Sequence, residues 1–255
     1  VIPTGRTWAR APLAWTAVAL ALVFGGVAAW ASSGRSRTKG PGELRQSDPA
    51  GAAILHVPHL AGTFPINAET EGKKVWDGDV GNTGNLKDVS GLGMVPYSQA
   101  KVRWGDGNLY FMLYAGDLDL EGTVRTPDVP LDNDDSFRLE FASGAQVRVV
   151  AVSVLGTLYD ALCERSAGAS ACDTGWRSGA TIAVDSDGTI NRIGDNDEEW
   201  VVEMAIPLSA LGMTAAGPGT RIPFSVRRCE VGRDAVHACG SWGSGDRRGE
   251  LLLDP

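Results

Sequence analysis

Histidine is scarce in this chain. His56, His59 and His237 are all that its 255 residues contain. That scarcity removes most catalytic arrangements built on an imidazole. A Ser-His-Asp triad would have to use His237, and its neighbour Cys239 suggests a loop near a disulfide instead. His56 and His59 stand three apart, a spacing that can ligate a metal but reads more simply as the polar approach to a domain. Cysteine is limited to Cys163, Cys172, Cys229 and Cys239. No C-x-x-C occurs, which argues against a zinc ribbon and a thioredoxin-type motif. H-E-x-x-H, G-x-x-x-x-G-K-[ST] and G-x-S-x-G are also missing, and with them the common signatures of zinc proteases, nucleotide-phosphate loops and serine hydrolases. Paired carboxylates for glycosidase chemistry are not excluded by composition alone. After residue 60 no helical pattern runs longer than about two turns, and there is no repeat of solenoid or propeller period.

Positive charge is lacking where it would matter for nucleic acid. The chain carries 23 Lys and Arg against 31 Asp and Glu, a net charge of −8. Residues 1–50 hold six basic and two acidic residues, so the remainder carries −12. An acidic body of this kind does not suit a phosphate backbone, and no nucleic-acid partner is expected. It is compatible with neutral ligands and with bound cations.

What is present begins with an apolar run. Residues 1–10 form a basic segment containing Arg6 and Arg10, and Ala11 to Ala31 then pass without a charge. Two readings stay open. The run is long enough for a single transmembrane anchor, and its Ala29-Trp30-Ala31 end also fits a signal-peptide cleavage site. Both imply export, to a periplasmic or extracellular location, with the membrane as a partner only if residues 11–31 are retained. Residues 32–59, rich in Ser, Gly, Pro, Arg and Lys near their start, read as a flexible linker. Residues 60–255 then form one domain. Its four cysteines allow three connectivities, and local pairing would close two loops of hairpin size.

Within that domain, short apolar runs alternate with Gly, Asp and Asn. Lys101–Trp104 and Leu109–Ala115 flank a Gly-Asp-Gly-Asn turn, a strong hairpin signal. Further strands are expected at Ser136–Ala142, Gln146–Leu155, Thr181–Val184, Trp200–Ile206, Ile222–Cys229 and Glu250–Leu253. The stretch from Gly188 to Pro207 organises the rest. Trp200, Val202, Met204 and Ile206 alternate with Val201, Glu203 and Ala205, and neither set is wholly polar, which suits a strand covered on both faces. Pro207 cannot donate to a ladder and ends the strand. The fold class that follows is all-β: an antiparallel sandwich of immunoglobulin-like or jelly-roll type, preceded by one N-terminal hydrophobic helix.

The order of these pieces resembles family 9 carbohydrate-binding modules and their DOMON-like relatives. Gly72 and Trp76 stand at a Gly…Trp opening. AKVRWGDGNLYFMLYAGDLDLEG, LDNDDSFRLEF and VSVLGTLYD follow, then Trp176, GTINRIGDNDEEWVVEMAIPLSALG, FSVRRCE and SWGSGDRRGELLL. The resemblance covers roughly residues 66–253. It implies sugar binding without catalysis, by aromatic rings on the C–H faces of pyranoses and polar groups on their hydroxyls. Carried onto this sequence, it makes Trp176 and Trp76 the candidate clamp, with Arg228 and Asp160 as polar partners. Arg228 would either fork onto sugar hydroxyls or pair with Glu203 or Glu140. Trp104 and Trp200 fall in strands and read as core. The resemblance also implies calcium as a structural cation in acidic loops, at Asp117, Asp119, Asp134, Asp195 and Asp197, although turn chemistry alone explains acids at such places. No organic cofactor is expected. Mono-, oligo- or polysaccharides are the implied partners. Two other readings compete. One is a sandwich that has kept the fold as a structural or interaction domain. The other is a haem-binding module, which would need Met94, Met112, Met204, Met213 or His237 as axial ligands.

Overall fold

The computed structural model describes residues 53–71, 73–165, 171–192, 194–232, 237–244 and 249–255. The apolar run 11–31 with the helix expected there, most of the linker, and Gly72 lie outside them. Among the described residues the regular structure is strand, apart from one turn of 3-10 helix at Lys74–Trp76. No helix among them is long and apolar enough to cross a membrane.

Thirteen strands form two sheets among the described residues. In chain order they are β1 (Ile54–Val57), β2 (Gly81–Asn82), β3 (Ser98–Gly105), β4 (Asn108–Gly116), β5 (Ser136–Ser143), β6 (Gln146–Ser153) and β7 (Leu158–Glu164). Then come β8 (Cys172–Asp173), β9 (Thr181–Asp187), β10 (Glu199–Pro207), β11 (Arg221–Val231), β12 (His237–Trp242) and β13 (Gly249–Leu253). The larger sheet runs β1-β13-β11-β5-β6-β7-β8 and the smaller β2-β3-β4-β10-β9. All pairs are antiparallel except β1 with β13. One edge of β11 is divided: its first four residues pair β13 and its last six pair β12.

The sandwich expected from the sequence is what forms, and its two faces follow the period-2 alternation of each strand. Trp200, Val202, Met204 and Ile206 of β10 are fully buried between the sheets. They meet Phe137, Leu139 and Phe141 of β5 and Phe224 and Val226 of β11. Phe111, Phe141 and Phe224 pack with ring centroids 5.3–6.1 Å apart, the spacing aromatic pairs prefer. The other face of β10 is also covered. Val201 joins Tyr110, Met112 and Trp76 beneath a cap that includes Phe64, Ile66 and Val75. A strand buried on both sides explains the missing polar face in its sequence.

Turn chemistry fixes the registers. Asp106 and Gly107 both take positive φ, 45° and 75°, as a type I′ turn requires, and join β3 to β4. Gly156, at φ 75°, turns β6 into β7. Tyr159 and Asp160 therefore stand near the start of β7.

The folded domain also begins earlier than a linker ending at residue 59 implies. Ile54–Val57 lies parallel to β13, with Leu55 and Val57 buried in the core. Four residues are too short a run to stand out after a tether of Ser, Gly and Pro. His56 and His59 serve this docking. The His56 Nδ1 lies 2.9 Å from a carboxylate oxygen of Asp254, and the His59 ring meets Trp104 edge-on at 4.7 Å.

Candidate functional site

The outer face of the larger sheet carries a groove of about 730 Å³. Alternation builds its floor. Phe137, Leu139 and Phe141 point into the core, so Ser136, Arg138 and Glu140 of β5 point out. On β11, Phe224 and Val226 point in, and Ser225, Arg227 and Cys229 line the groove. Pairing register sets these side chains in transverse rows. Arg227 faces Arg138, Arg138 faces Ala151, and Ala151 faces Tyr159, across four neighbouring strands. The small Ala151 leaves a depression between the longer side chains. Pro130–Asn133 wall one side and Ser244 stands beyond β12 on the other.

Each end of the groove is held by a disulfide. Cys163 and Cys172 face one another across β7 and β8, and Cys229 and Cys239 across β11 and β12. Both are local pairs, so the hairpin-sized loops weighed from spacing are the ones that form. No free cysteine occurs among the described residues.

The lining mixes charge, hydroxyl and apolar surface. The Arg138 Nε donates to Glu140 Oε1 at 2.9 Å, a half-buried pair. Arg227 is exposed. Tyr159 is 8% exposed, and its ring packs with Leu131 and Ala151. This combination can bind hydroxyls through planar donors and acceptors and cover C–H faces with apolar surface.

The structure separates the residues singled out from sequence. Trp76 is not available to a ligand: it is 2% exposed, under the cap on the smaller sheet. Its indole N–H donates to Glu203 Oε1 at 2.7 Å. Glu203 is itself fully buried and accepts further bonds from the Asn67 and Ala68 amides and the Lys73 ammonium. Trp176 is half-buried at the edge of the main core, so the two tryptophans belong to different clusters and form no clamp. Asp160 lies on β7. It accepts the Ser178 amide at 3.1 Å and pins the loop that carries Trp176. Arg177 of that loop pairs with Asp128 at 2.8 Å. Burial raises the Asp160 carboxyl above its ordinary range.

Arg228 is fully buried and committed to Asp117 and Glu230, each at 2.5 Å, rather than to Glu203 or Glu140. It points to the opposite side of β11 from Arg227. Desolvation raises Asp117 to about 6 despite the arginine beside it. Asp135 is raised to about 8 by desolvation and by the Asp117 charge, against the pull of two backbone N–H bonds.

The acidic loops are used by the backbone. Asp134 accepts the Thr123 and Val124 amides, and Asp197 accepts those of Leu120 and Thr189. Asp117 accepts the Asp119 amide, and Asp195 lies 3.8 Å from Arg192. No three His, Cys, Asp or Glu side chains converge on a metal-holding geometry among the described residues. Met112 and Met204 lie on opposite faces of the smaller sheet, Met112 under the cap and Met204 in the core.

Sequence reasoning missed the groove's own residues: Arg138, Glu140, Tyr159 and Arg227. Two of them adjoin residues it chose. Tyr159 precedes Asp160 and Arg227 precedes Arg228, each on the other face of the strand. The signal lay in the alternation of β5 and β11, whose outward positions carry polar groups beside apolar inward ones.

Comparison with solved structures places this fold. A family 9 carbohydrate-binding module from Caldicellulosiruptor kristjanssonii, solved with glucose, aligns at a TM-score of 0.54 and 16% identity. That alignment covers 79% of this chain and 95% of the module. The same kind of module solved with cellotriose aligns at 0.51 and 14%, covering 79% and 93%. A candidate carbohydrate-binding protein from Bacteroides uniformis aligns at 0.53 and 14%, covering 79% and 99%. No family model and no curated protein sequence matches the chain. The chain has a fold like that of family 9 carbohydrate-binding modules.

Proposed function

We propose that this protein is an exported, non-catalytic carbohydrate-binding module and that its site is the groove on the outer face of the larger sheet. One observation carries the reading. A groove of about 730 Å³ lies on a fold shared with sugar-binding modules, and it is lined by an arginine–glutamate pair, a second arginine, hydroxyls and a tyrosine face. A volume of this order holds a small oligosaccharide. Tyr159, Ala151 and Leu131 supply the apolar contact, while Arg138 and Glu140, already oriented by each other, meet hydroxyls without further ordering cost. Export is supported by the apolar run 11–31 and by two disulfides, which persist in oxidising compartments. Calcium is not required by this reading.

Calorimetric titration of the full chain with glucose, cello- and xylo-oligosaccharides, with and without a chelator, tests it. Arg138→Ala and Tyr159→Ala are expected to weaken binding at least tenfold. Trp176→Ala is expected to leave affinity within about twofold, because its ring lies outside the groove. Loss of binding in Trp176→Ala, with Arg138→Ala unaffected, would move the site to the Trp176 loop. No binding of any sugar would leave a sandwich with a structural role.

A further inference from the structure

The row across the groove floor contains an arrangement that a neutral ligand does not explain. Arg227 of β11 and Arg138 of β5 are direct cross-strand partners on the same face. Like charges placed opposite one another in a ladder destabilise the pair. Glu140 answers one of them, bonding Arg138 through Nε. Arg227 is exposed, and among the described residues it makes no ion pair. The chain carries 31 acidic residues against 23 basic ones, yet none of the described carboxylates pairs with Arg227, and Glu140 is taken by Arg138. Asp132 lies on the rim, exposed on the loop that walls the groove.

From this we infer that the groove selects a sugar chain bearing an isolated carboxylate, a uronic acid set among neutral residues. The inference rests on the groove being a sugar site. Arg227 supplies a planar fork that matches a carboxylate in two parallel bonds. Arg138 adds its field from the facing position. Ser136 and Asn133 offer hydroxyl and amide groups to the neutral rings on either side. The acidic exterior sets an upper limit on ligand charge. The body of the chain repels a long polyanion, so one carboxylate among neutral rings fits, and a run of them does not.

Matched pairs of ligands test this on the full chain. One pair is cellotriose and its counterpart oxidised to the uronic acid at C6 of a terminal residue. The other is a xylo-oligosaccharide with and without a single glucuronic acid branch. Calorimetry at low salt is expected to show the acidic member of at least one pair binding tenfold or more tightly than its neutral partner. That preference should shrink severalfold between about 50 and 300 mM salt, as screening shortens the reach of the arginines. Arg227→Gln should remove the preference, bringing the acidic and neutral members of a pair to within twofold of each other, and Arg227→Lys should restore only part of it, since an ammonium lacks the fork. Neutral members binding as well as acidic ones would overturn the inference and leave the sugar site standing. A preference that survives Arg227→Gln would overturn it too, as would tighter binding of a sulfated oligosaccharide than of either uronate. If no member of either pair binds, the sugar site falls and the inference falls with it.

Discussion

Glu203 shows how much one side chain can organise. A carboxylate with no exposed surface is costly unless its lone pairs are filled. Here both oxygens are used, one by the Trp76 indole and the other by Lys73 and two amides at the start of the cap. Glu203→Ala would leave the indole N–H and the Lys73 ammonium without their partner. A loss of about 3–5 kcal/mol is expected for breaking a buried pair from one side. Urea unfolding followed by tryptophan fluorescence reads it directly, and a loss under about 1 kcal/mol would mean the cap does not depend on this residue.

The Arg228 corner makes a prediction of a different kind. Asp117 and Asp135 hold their protons to higher pH in the fold than the ordinary carboxylate value of 3.8, Asp117 to about 6 and Asp135 to about 8. The folded state therefore binds more protons than the unfolded chain across that window. The stability these groups contribute is complete below 3.8 and declines as pH rises, through about 6 for the first and about 8 for the second. Thermal unfolding is expected to show a lower Tm at pH 8.5 than at pH 5.5, and Asp135→Asn should flatten most of that slope. A Tm that climbs steadily between those values would contradict the assignment.

Strands were readable to the extent that their alternation was long and clean. β4, β5, β10 and β11 stand out because five or more positions keep one period, and Pro207 and the Asp106-Gly107 turn mark their ends. β1, β2 and β8 do not, because two to four residues carry no period. β12 was missed for another reason: Ala238, Gly240 and Ser241 are small and give no apolar signal, and cross-strand bonding and a disulfide hold the strand in place. The site was harder to read. Its residues occupy the outward positions of four strands that are distant in sequence, so only the register brings Arg227, Arg138 and Tyr159 into one row. A choice that falls one position away on a strand falls on the opposite face. That is why Asp160 and Arg228 proved to be internal, while their neighbours line the groove.

The two disulfides act on the same elements. Each closes a short hairpin at a groove end, and a loop of about ten residues is worth roughly 2–3 kcal/mol in chain entropy. Replacing Cys229 and Cys239 together by Ser is expected to lower the Tm by several degrees. It should also weaken sugar binding, because β12 forms a wall of the groove. Calorimetry with the double variant tests the second point: unchanged affinity would show that β11 and β5 hold the site without that wall.

For the molecule as a whole, the decisive boundary is the start of β1. Leu55 and Val57 bury their side chains in the core, and His56 reaches Asp254 near the C-terminus. A chain shortened to begin at Leu60 loses both residues and exposes the edge of β13. Burial of two such side chains is worth about 3–5 kcal/mol together, a large part of the margin of a typical domain. The chain beginning at Ala53 is expected to unfold cooperatively with near full stability, and the one beginning at Leu60 to be much weaker or unfolded. Equal denaturant midpoints would show that the sheet does not need β1.

The parallel pairing of β1 with β13 has a mechanical side. β1 is the first strand of the described chain, and the groove lies on β11 and β5, across β13 from it. If the protein is held from its N-terminal side while its ligand is pulled away, tension passes through β1 into the sheet. Along the strand axis such a load shears the ladder between β1 and β13, so its hydrogen bonds share the force instead of opening one after another. Ile54–Val57 would then set the force at which the N-terminal side of the chain parts from the sheet, while the ladder of β11 with β5 stays intact.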